Sequence, residues 1–551
     1  MGRPEKARER AMEGKPNVLF PTGSEKNRSL VREIKNVKSS FTQTVNLEIA
    51  RFRCMKCKQL TFYRRCHLCD GEAKPESVCA RCGKIVNSSM HCDEKTIEYD
   101  ERPIDIAALF ESVKQKLGFA PSDVKGVKGL SNATKIPERL EKGFMRAKRN
   151  VYVFRDGTSR FDATDVPITH FIPKEVGLTL EKARELGYKT DYLGNELKSD
   201  EQIIELKQQD IIISRSGLEY LFSVSKFIDD LLVDLYGLPP YYNLEKPEDL
   251  IGHLCVGLSP HTSAGVLCRV IGWTNANVGY GHPYFHTAKR RNCDGDEDSI
   301  MLLLDCLINF SKRYLSESRG GTMDAPLVLT TVINPKEVDD EAHGIEIVSS
   351  YPLEFYRACE RFAMPSDVKI RIVKDVLGTE AHYHLPITHI GTLFNGANTR
   401  TSYVKMKNVP EKVRMEFALH DMIRAVDKKD AAEKLVLSHF IPDLYGNLRS
   451  FSRQEFRCSS CNAKYRRVPL VGKCTRCGGN LLLTINKGGI QKYLLITKEV
   501  IEKYKLPDYL KQRIELIEKE INNIFEDEKE KQLGLGAVSY THLTLPTIYS
   551  V

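Results

Sequence analysis

No apolar run in this sequence reaches the roughly 18 residues that a membrane-spanning helix requires. The N-terminus is polar and charged and lacks the apolar segment of a secretory leader. Those absences make a cytoplasmic protein the expectation. A strong excess of one charge is also missing. Lys and Arg number 82 against 73 Asp and Glu, a net charge of +9, which permits a polyanionic partner without requiring one. Wholesale disorder is excluded by a hydrophobic content of 41%. A chain of 551 residues exceeds one core, so several domains are expected.

Cysteine, by contrast, is plentiful. Eleven of the 16 lie in two short clusters, mostly as CxxC pairs, in a large chain with no leader. That pattern favours zinc in a reducing compartment over disulfides. Cys54-x2-Cys57, eight residues, then Cys66-x2-Cys69 supplies two knuckles that can close one tetrahedral site. Cys79-x2-Cys82 is followed by Cys92, with Ser89 where a third CxxC would begin. There, either His91 is the fourth ligand or the site is degenerate and the thiols are simply reduced surface cysteines. Cys458-x2-Cys461, twelve residues, then Cys474-x2-Cys477 with Gly478-Gly479 is a zinc-ribbon pattern. Four protein ligands leave zinc no open position, so its role there is structural.

The most chemically pointed stretch is HPYFHTAKRRNCDGDEDSIMLLLD at 282–305. Asn292, Asp294, Asp296 and Asp298 alternate with Cys293, Gly295 and Glu297, so an extended backbone would put four oxygen-bearing side chains on one side. Lys289-Arg290-Arg291 precedes them, and an apolar element, helix or strand, follows from Ser299. Acidic oxygens beside fixed cations suit magnesium ions that hold phosphate oxygens. A solvated acidic turn is the competing reading, since Asp and Gly are ordinary turn residues. A calcium loop fits poorly, because Ser299 and Asp305 occupy the positions that need Gly and Glu.

HPYFHTAKRRNCDGDED, together with GLSPHTSAGVLCRVIGWT at 257–274 and MGRPEKARER at 1–10, resembles the large subunit of the archaeal family D DNA polymerase, also called DNA polymerase II. The similarity runs from residue 1 to about 536. It implies an α+β multidomain protein whose catalytic core is a pair of double-psi β-barrels related to multisubunit RNA polymerases, with zinc-binding modules attached. It places carboxylates on one barrel and basic residues, here Lys6 and Arg8, on the other. Lys is common in the family at the second of these, so Arg8 keeps the charge but changes its geometry. The family's large subunit carries a long region before this motif, which implies a fragment or one half of a split gene.

The resulting layout is a basic motif and part of the first barrel at 1–50, a zinc module at 51–95 and a connecting and clamp region at 96–250. The second barrel with the acidic loop follows at 251–400, then further clamp at 401–455, the zinc ribbon at 456–485 and a helical segment at 486–536. Residues 537–551 resemble translated sequencing-adaptor sequence and are set aside as a non-native tail. Within this layout Ile104–Leu117 and Leu218–Tyr236 have helical apolar spacing, and Val151–Phe154 has the composition of a strand. Residues 127–149, rich in Lys and Arg, read as a solvated face or a clamp on nucleic-acid backbone. Gly265, Gly272, Gly279 and Gly281 read as turns between β-prone runs. His282 and His286 have no partners at zinc spacing and are expected to pack or to contact nucleic acid. Leu510, Ile514, Ile517, Ile521 and Ile524 share one face of a helix capped by Asp508.

The function this implies is DNA-directed DNA synthesis by the catalytic part of a replicative polymerase large subunit. Two Mg²⁺ would sit on Asp294 and Asp296 with help from Asn292. Lys6 and Arg8 would face the nucleoside triphosphate, and Lys289, Arg290 and Arg291 the DNA backbone. Two or three Zn²⁺ would be held by the cysteine sets. Partners would be primer–template DNA, a small subunit carrying 3′–5′ exonuclease, and a sliding clamp bound through an incomplete peptide beginning at Gln532. The rival reading is a non-catalytic, zinc-dependent DNA-binding scaffold belonging to a split polymerase.

Overall fold

The computed structural model describes residues 12–23, 28–38, 44–79, 81–86, 88–290, 296–317, 320–387, 406–459, 463–483 and 487–525. Lys6, Arg8, Arg291, Asn292, Asp294, Cys461 and the segment from Gln532 onward lie outside these residues. The chain divides into two compact units, residues 9–400 and residues 401–551 with 1–8.

The larger unit begins with an α+β layer. Strand β1 (Val45–Ala50) pairs antiparallel with β2 (Tyr99–Ile104). Helix α1 (Ile106–Leu117) starts where the Ala108 N–H donates to the Asp105 carboxylate at 2.8 Å, and it ends at Gly118 in the left-handed conformation. Its buried face, Ile106, Leu109, Phe110 and Val113, packs with Val18, Phe20 and Ile49, and with Leu140 and Phe144 of helix α2 (Leu140–Lys148). Here the sequence reading of 127–149 as a solvated or clamping face needs correction for α2, because two of its cations point inward. Arg146 is fully buried and forms a two-pronged bridge to Glu138 at 2.8 and 2.9 Å. It also donates to the Asn17 and Gly157 carbonyls and stacks 4.8 Å from the Phe227 ring. Lys142 donates to Asn309 at 2.6 Å. Val151–Phe154 is not a strand either; its N–H groups bond to the Arg146, Pro16 and Thr158 carbonyls and the Tyr220 hydroxyl in the extended connection that follows.

Six strands then close into a barrel: β3 (Phe161–Pro167), β4 (Asp210–Ser214), β5 (Leu254–Leu258), β6 (Ala264–Thr274), β7 (Val278–Gly281) and β8 (Glu297–Leu302). The circuit runs β4–β7–β3–β8–β5–β6 and back to β4, with β7–β3 and β6–β4 parallel and the rest antiparallel. A short β9 (Val328–Thr330) adds parallel to β6. Two of the six strands thus come from the stretch before residue 251 that the sequence assigned to connections. Helix α3 (Arg215–Asp234) packs on the barrel through Leu218, Leu221, Val224, Phe227, Ile228 and Leu231. Burying side chains of that size is worth roughly 1.5–3 kcal/mol each. Its cap is Ser214, whose hydroxyl accepts from the Gly217 N–H at 3.1 Å. The glycines at 265, 272, 279 and 281 lie inside strands rather than at turns. A Cβ at Gly272 would come 2.7 Å from the Val176 carbonyl oxygen, so close packing is what requires the missing side chain.

The larger unit also holds two short helices at the barrel. Those are α4 (Pro283–Ala288) and α5 (Leu303–Asn309), which flank β8 in sequence. In the second unit, α6 (Val409–Met422), α7 (Ile441–Arg453), α8 (Leu494–Lys503) and α9 (Asp508–Phe525) share one apolar core. Leu510, Ile514, Ile517 and Ile521 of α9 are buried in it, as their spacing predicts, with Phe525 beside a half-buried Ile524. Three short strands, Phe456–Cys458, Lys464–Tyr465 and Leu481–Leu482, form the sheet of the ribbon. Among the described residues no helix is long and apolar enough to cross a membrane.

Candidate active site and zinc centres

The acidic stretch meets the barrel at β8. The Asp165 N–H on β3 donates to the Asp296 carbonyl at 2.7 Å, and Glu297 and Asp298 pair with Thr164 and Ala163. Asp296 therefore stands, half-buried, where the loop enters the barrel wall. Asp298 does not join it on an accessible face. It is inside, 1% exposed, and forms an ion pair with Lys289, whose ammonium also lies 3.1 Å from Asp165 Oδ2 and 3.3 Å from His286 Nδ1. Lys289 was expected on DNA phosphates; at 2% exposure its charge is committed to these two carboxylates instead. Its stem passes Gly257, where a Cβ would sit 3.2 Å from the Lys289 Cδ and 2.7 Å from Phe285. Arg290, next in sequence, is exposed, with φ of 60° as the chain leaves α4.

Burial governs the electrostatics of this cluster. It opposes the Lys289 charge, but the Asp298 and Asp165 carboxylates outweigh it and hold the ammonium protonated beyond its usual range. Burial raises Asp298 to about 6 despite Lys289, and lowers His286 to about 3, so the imidazole is neutral. His282, lowered to about 3 by the same cause, accepts from the Tyr284 N–H at 3.1 Å and caps α4. Both histidines are packing residues, in line with the first of the two expected roles. Ligand atoms of Asp165, His286 and Asp298 lie within 4.8 Å of one another, a grouping that could hold a metal ion, and the Lys289 ammonium is among them. Sequence reasoning missed Asp165. Its signal, a carboxylate in a strand otherwise flanked by β-prone residues, has no fixed spacing to the acidic loop.

The cysteine sets have metal-site geometry. Zn–S bonds of about 2.3 Å in a tetrahedron put sulfurs about 3.8 Å apart. Cys54 and Cys69 sulfurs are 3.5 Å apart, and Cys57 and Cys66 sulfurs 3.7 Å. The Cys57 N–H draws the Cys54 thiol down to about 6, and that of Cys82 does the same for Cys79, while burial and the neighbouring thiols raise Cys57 and Cys92. Four of the knuckles turn the same way: Lys58, Asp70, Gly83 and Gly478 are all left-handed, and each donates its N–H to the first cysteine's carbonyl. In the second set, His91 Nδ1 lies 3.5 Å from Cys82 and 3.1 Å from Cys92. His91 thus joins Cys79, Cys82 and Cys92 in a four-ligand group that could hold a metal. In the ribbon, Cys458, Cys474 and Cys477 converge, with the Cys458 and Cys477 sulfurs 3.4 Å apart.

Two models of a known protein family match this chain. The family model for the DNA polymerase II large subunit DP2, catalytic domain, matches residues 118–412, which include all six barrel strands. The model for the central domain of the same subunit matches residues 1–88. Curated relatives named DNA polymerase II large subunit include those of Archaeoglobus fulgidus, 49% identical over 97% of this chain and 48% of the relative, and Pyrococcus furiosus, 48% identical over 96% and 42%. That of Methanosarcina barkeri is 45% identical over 97% and 48%. The chain spans about half the length of these relatives. With a match to the catalytic-domain model over more than half its residues, the chain belongs to the family of the DNA polymerase II large subunit.

Proposed function

We propose that this chain is the catalytic portion of a replicative DNA-directed DNA polymerase large subunit, extending a DNA primer with deoxynucleoside triphosphates. The observation that carries the reading is the placement of Asp296. The loop's last metal-type carboxylate is delivered to the wall of the barrel that the catalytic-domain model covers, with its backbone tied to β3. The donor set fits magnesium, since carboxylate and amide oxygens are the ligands hard cations take. When bound, two Mg²⁺ lower the pKa of the primer 3′-hydroxyl and steady the leaving pyrophosphate. Asp294 and Asp296, with Asn292, hold the ions. Lys6 and Arg8 neutralise the triphosphate from the first of two double-psi barrels. Arg290 and Arg291 contact DNA phosphates, positioning the duplex without reading its sequence. The cysteine sets hold two or three Zn²⁺ and serve the fold. A small subunit supplies 3′–5′ exonuclease, and the segment from Gln532 engages a sliding clamp.

Primer extension by this chain, supplied with the rest of the large subunit and the small subunit, tests the reading. Magnesium-dependent incorporation is expected. DNA binding without incorporation would support a zinc-dependent scaffold instead.

A further inference from the structure

Beside the first zinc knuckle the larger unit forms a cleft of about 270 Å³, lined by none of the residues assigned a role above. Its apolar wall is Phe52, Pro75 and Ile136. Phe52 and Pro75 are partners in an antiparallel strand pair, and Ile136 packs on the knuckle core that includes Phe52 and Cys54. Three charged residues also line the cleft: Arg64 and Arg313, both exposed, and the half-buried Glu98. Other arginines of the knuckle are committed, Arg51 and Arg53 to Glu76 and Arg65 to Asp70. Among the described residues, by contrast, the side chains of Arg64, Glu98 and Arg313 have no hydrogen bond or ion pair. A simple anion would meet Glu98 there, and a simple cation would meet the two arginines. A ligand that suits all three carries acidic oxygens, N–H donors and an apolar ring face in one unit, which is the make-up of a nucleotide.

We propose that this cleft takes one unpaired guanine nucleotide of a DNA single strand, with the base against Phe52, Pro75 and Ile136, its N1–H and N2 amino group donating to Glu98, and the adjoining phosphates on Arg64 and Arg313. The inference rests on the polymerase reading for the presence of a DNA strand. The choice of base follows from the lone carboxylate. Guanine presents two neighbouring donors on its Watson–Crick edge, which a carboxylate accepts together. Adenine and cytosine offer one amino group beside an acceptor nitrogen, and thymine a single N–H between two carbonyls, so each would leave Glu98 less well matched. The volume is a little under the roughly 300 Å³ at which pockets for drug-sized ligands begin, which limits the occupant to one base. Proteins that hold a base out of the stack read it in this way, by hydrogen bonds to that edge and packing on its faces. The arginines would add phosphate contacts that hold the strand without reading it.

The test is fluorescence anisotropy of the zinc-loaded chain with labelled oligothymidylate carrying one central guanine, against the same strand with thymine there, at a temperature where circular dichroism shows every variant folded. The wild type should bind the guanine strand tighter by about fivefold or more. Glu98→Ala should abolish that preference and leave the salt dependence of binding unchanged. Arg64→Gln and Arg313→Gln should each weaken binding of the guanine strand and lower its salt slope by about 0.7, the share of one phosphate contact on a single strand. A wild type that binds both strands equally, or a folded Glu98→Ala that keeps the preference, overturns the cleft as a base site and leaves the polymerase reading standing. Displacement of the guanine strand by an equal concentration of free dGMP overturns the strand as the occupant. Failure to bind either strand counts against the polymerase reading and the cleft together.

Discussion

Among the described residues Arg146 is the largest side chain that the fold buries completely, and its charge is balanced by Glu138, itself unexposed. Removing one partner of such a pair leaves an uncompensated charge in the interior, at a cost of about 3–5 kcal/mol. Glu138→Gln should therefore lower unfolding stability by that amount in urea titrations, and a loss below about 1 kcal/mol would contradict the pairing. His282 makes a pH prediction. Its folded pKa of about 3 lies below the ordinary value of 6.5, so between those values the unfolded chain binds the extra proton. Stability from this group is complete above pH 6.5 and is lost as pH falls toward 3. Asn at 282 keeps a capping acceptor without titrating. The urea midpoint should fall less between pH 7 and 4 in His282→Asn than in the wild type; equal falls would refute the assignment. These residue roles were hidden in the sequence for one reason. Burial of a Lys, Arg or Asp depends on partners far along the chain, such as Asp165 for Lys289 at 124 positions. Hence the triplet at 289–291 read as uniform, although Lys289 is inside and Arg290 outside.

At the scale of elements, local pattern and structure agree where the pattern itself is the physical constraint. The four-cysteine sets are legible because a tetrahedral site fixes ligand spacing, and α1, α3 and α9 are legible from apolar residues recurring at 3.6-residue spacing. The in-strand glycines were not, because the neighbour that excludes a Cβ comes from another part of the chain, as Val176 does at Gly272. Metal analysis should find at least two tightly bound zinc ions, and Cys57→Ser or chelation should lower the melting temperature, since a closed site contributes folding energy. A zinc-free chain with unchanged melting would exclude the assignment. In α3, Leu221→Ala should cost about 2–5 kcal/mol, because Leu221 is fully buried against the barrel; a cost under about 1 kcal/mol would show that the helix is not seated there.

The barrel is a property of the whole unit. Its closing contact joins Asp210–Ser214 to Ala264–Thr274 in parallel, across an intervening helix and a strand. No local pattern announces that pairing, which is why the sequence reading began the barrel at residue 251 although two of its strands precede it. On the proposed reading the acidic loop holds the metals that drive nucleotide transfer. The most direct measurement is single-turnover primer extension by Asp294→Asn and Asp296→Asn, each assembled with the rest of the large subunit and the small subunit, alongside their DNA affinity. Losing a charged ligand should remove about 3 kcal/mol or more of transition-state stabilisation, so extension should fall by more than about 100-fold while DNA binding stays near wild type. Extension at the wild-type rate in either variant would rule the loop out as the site of the catalytic metals.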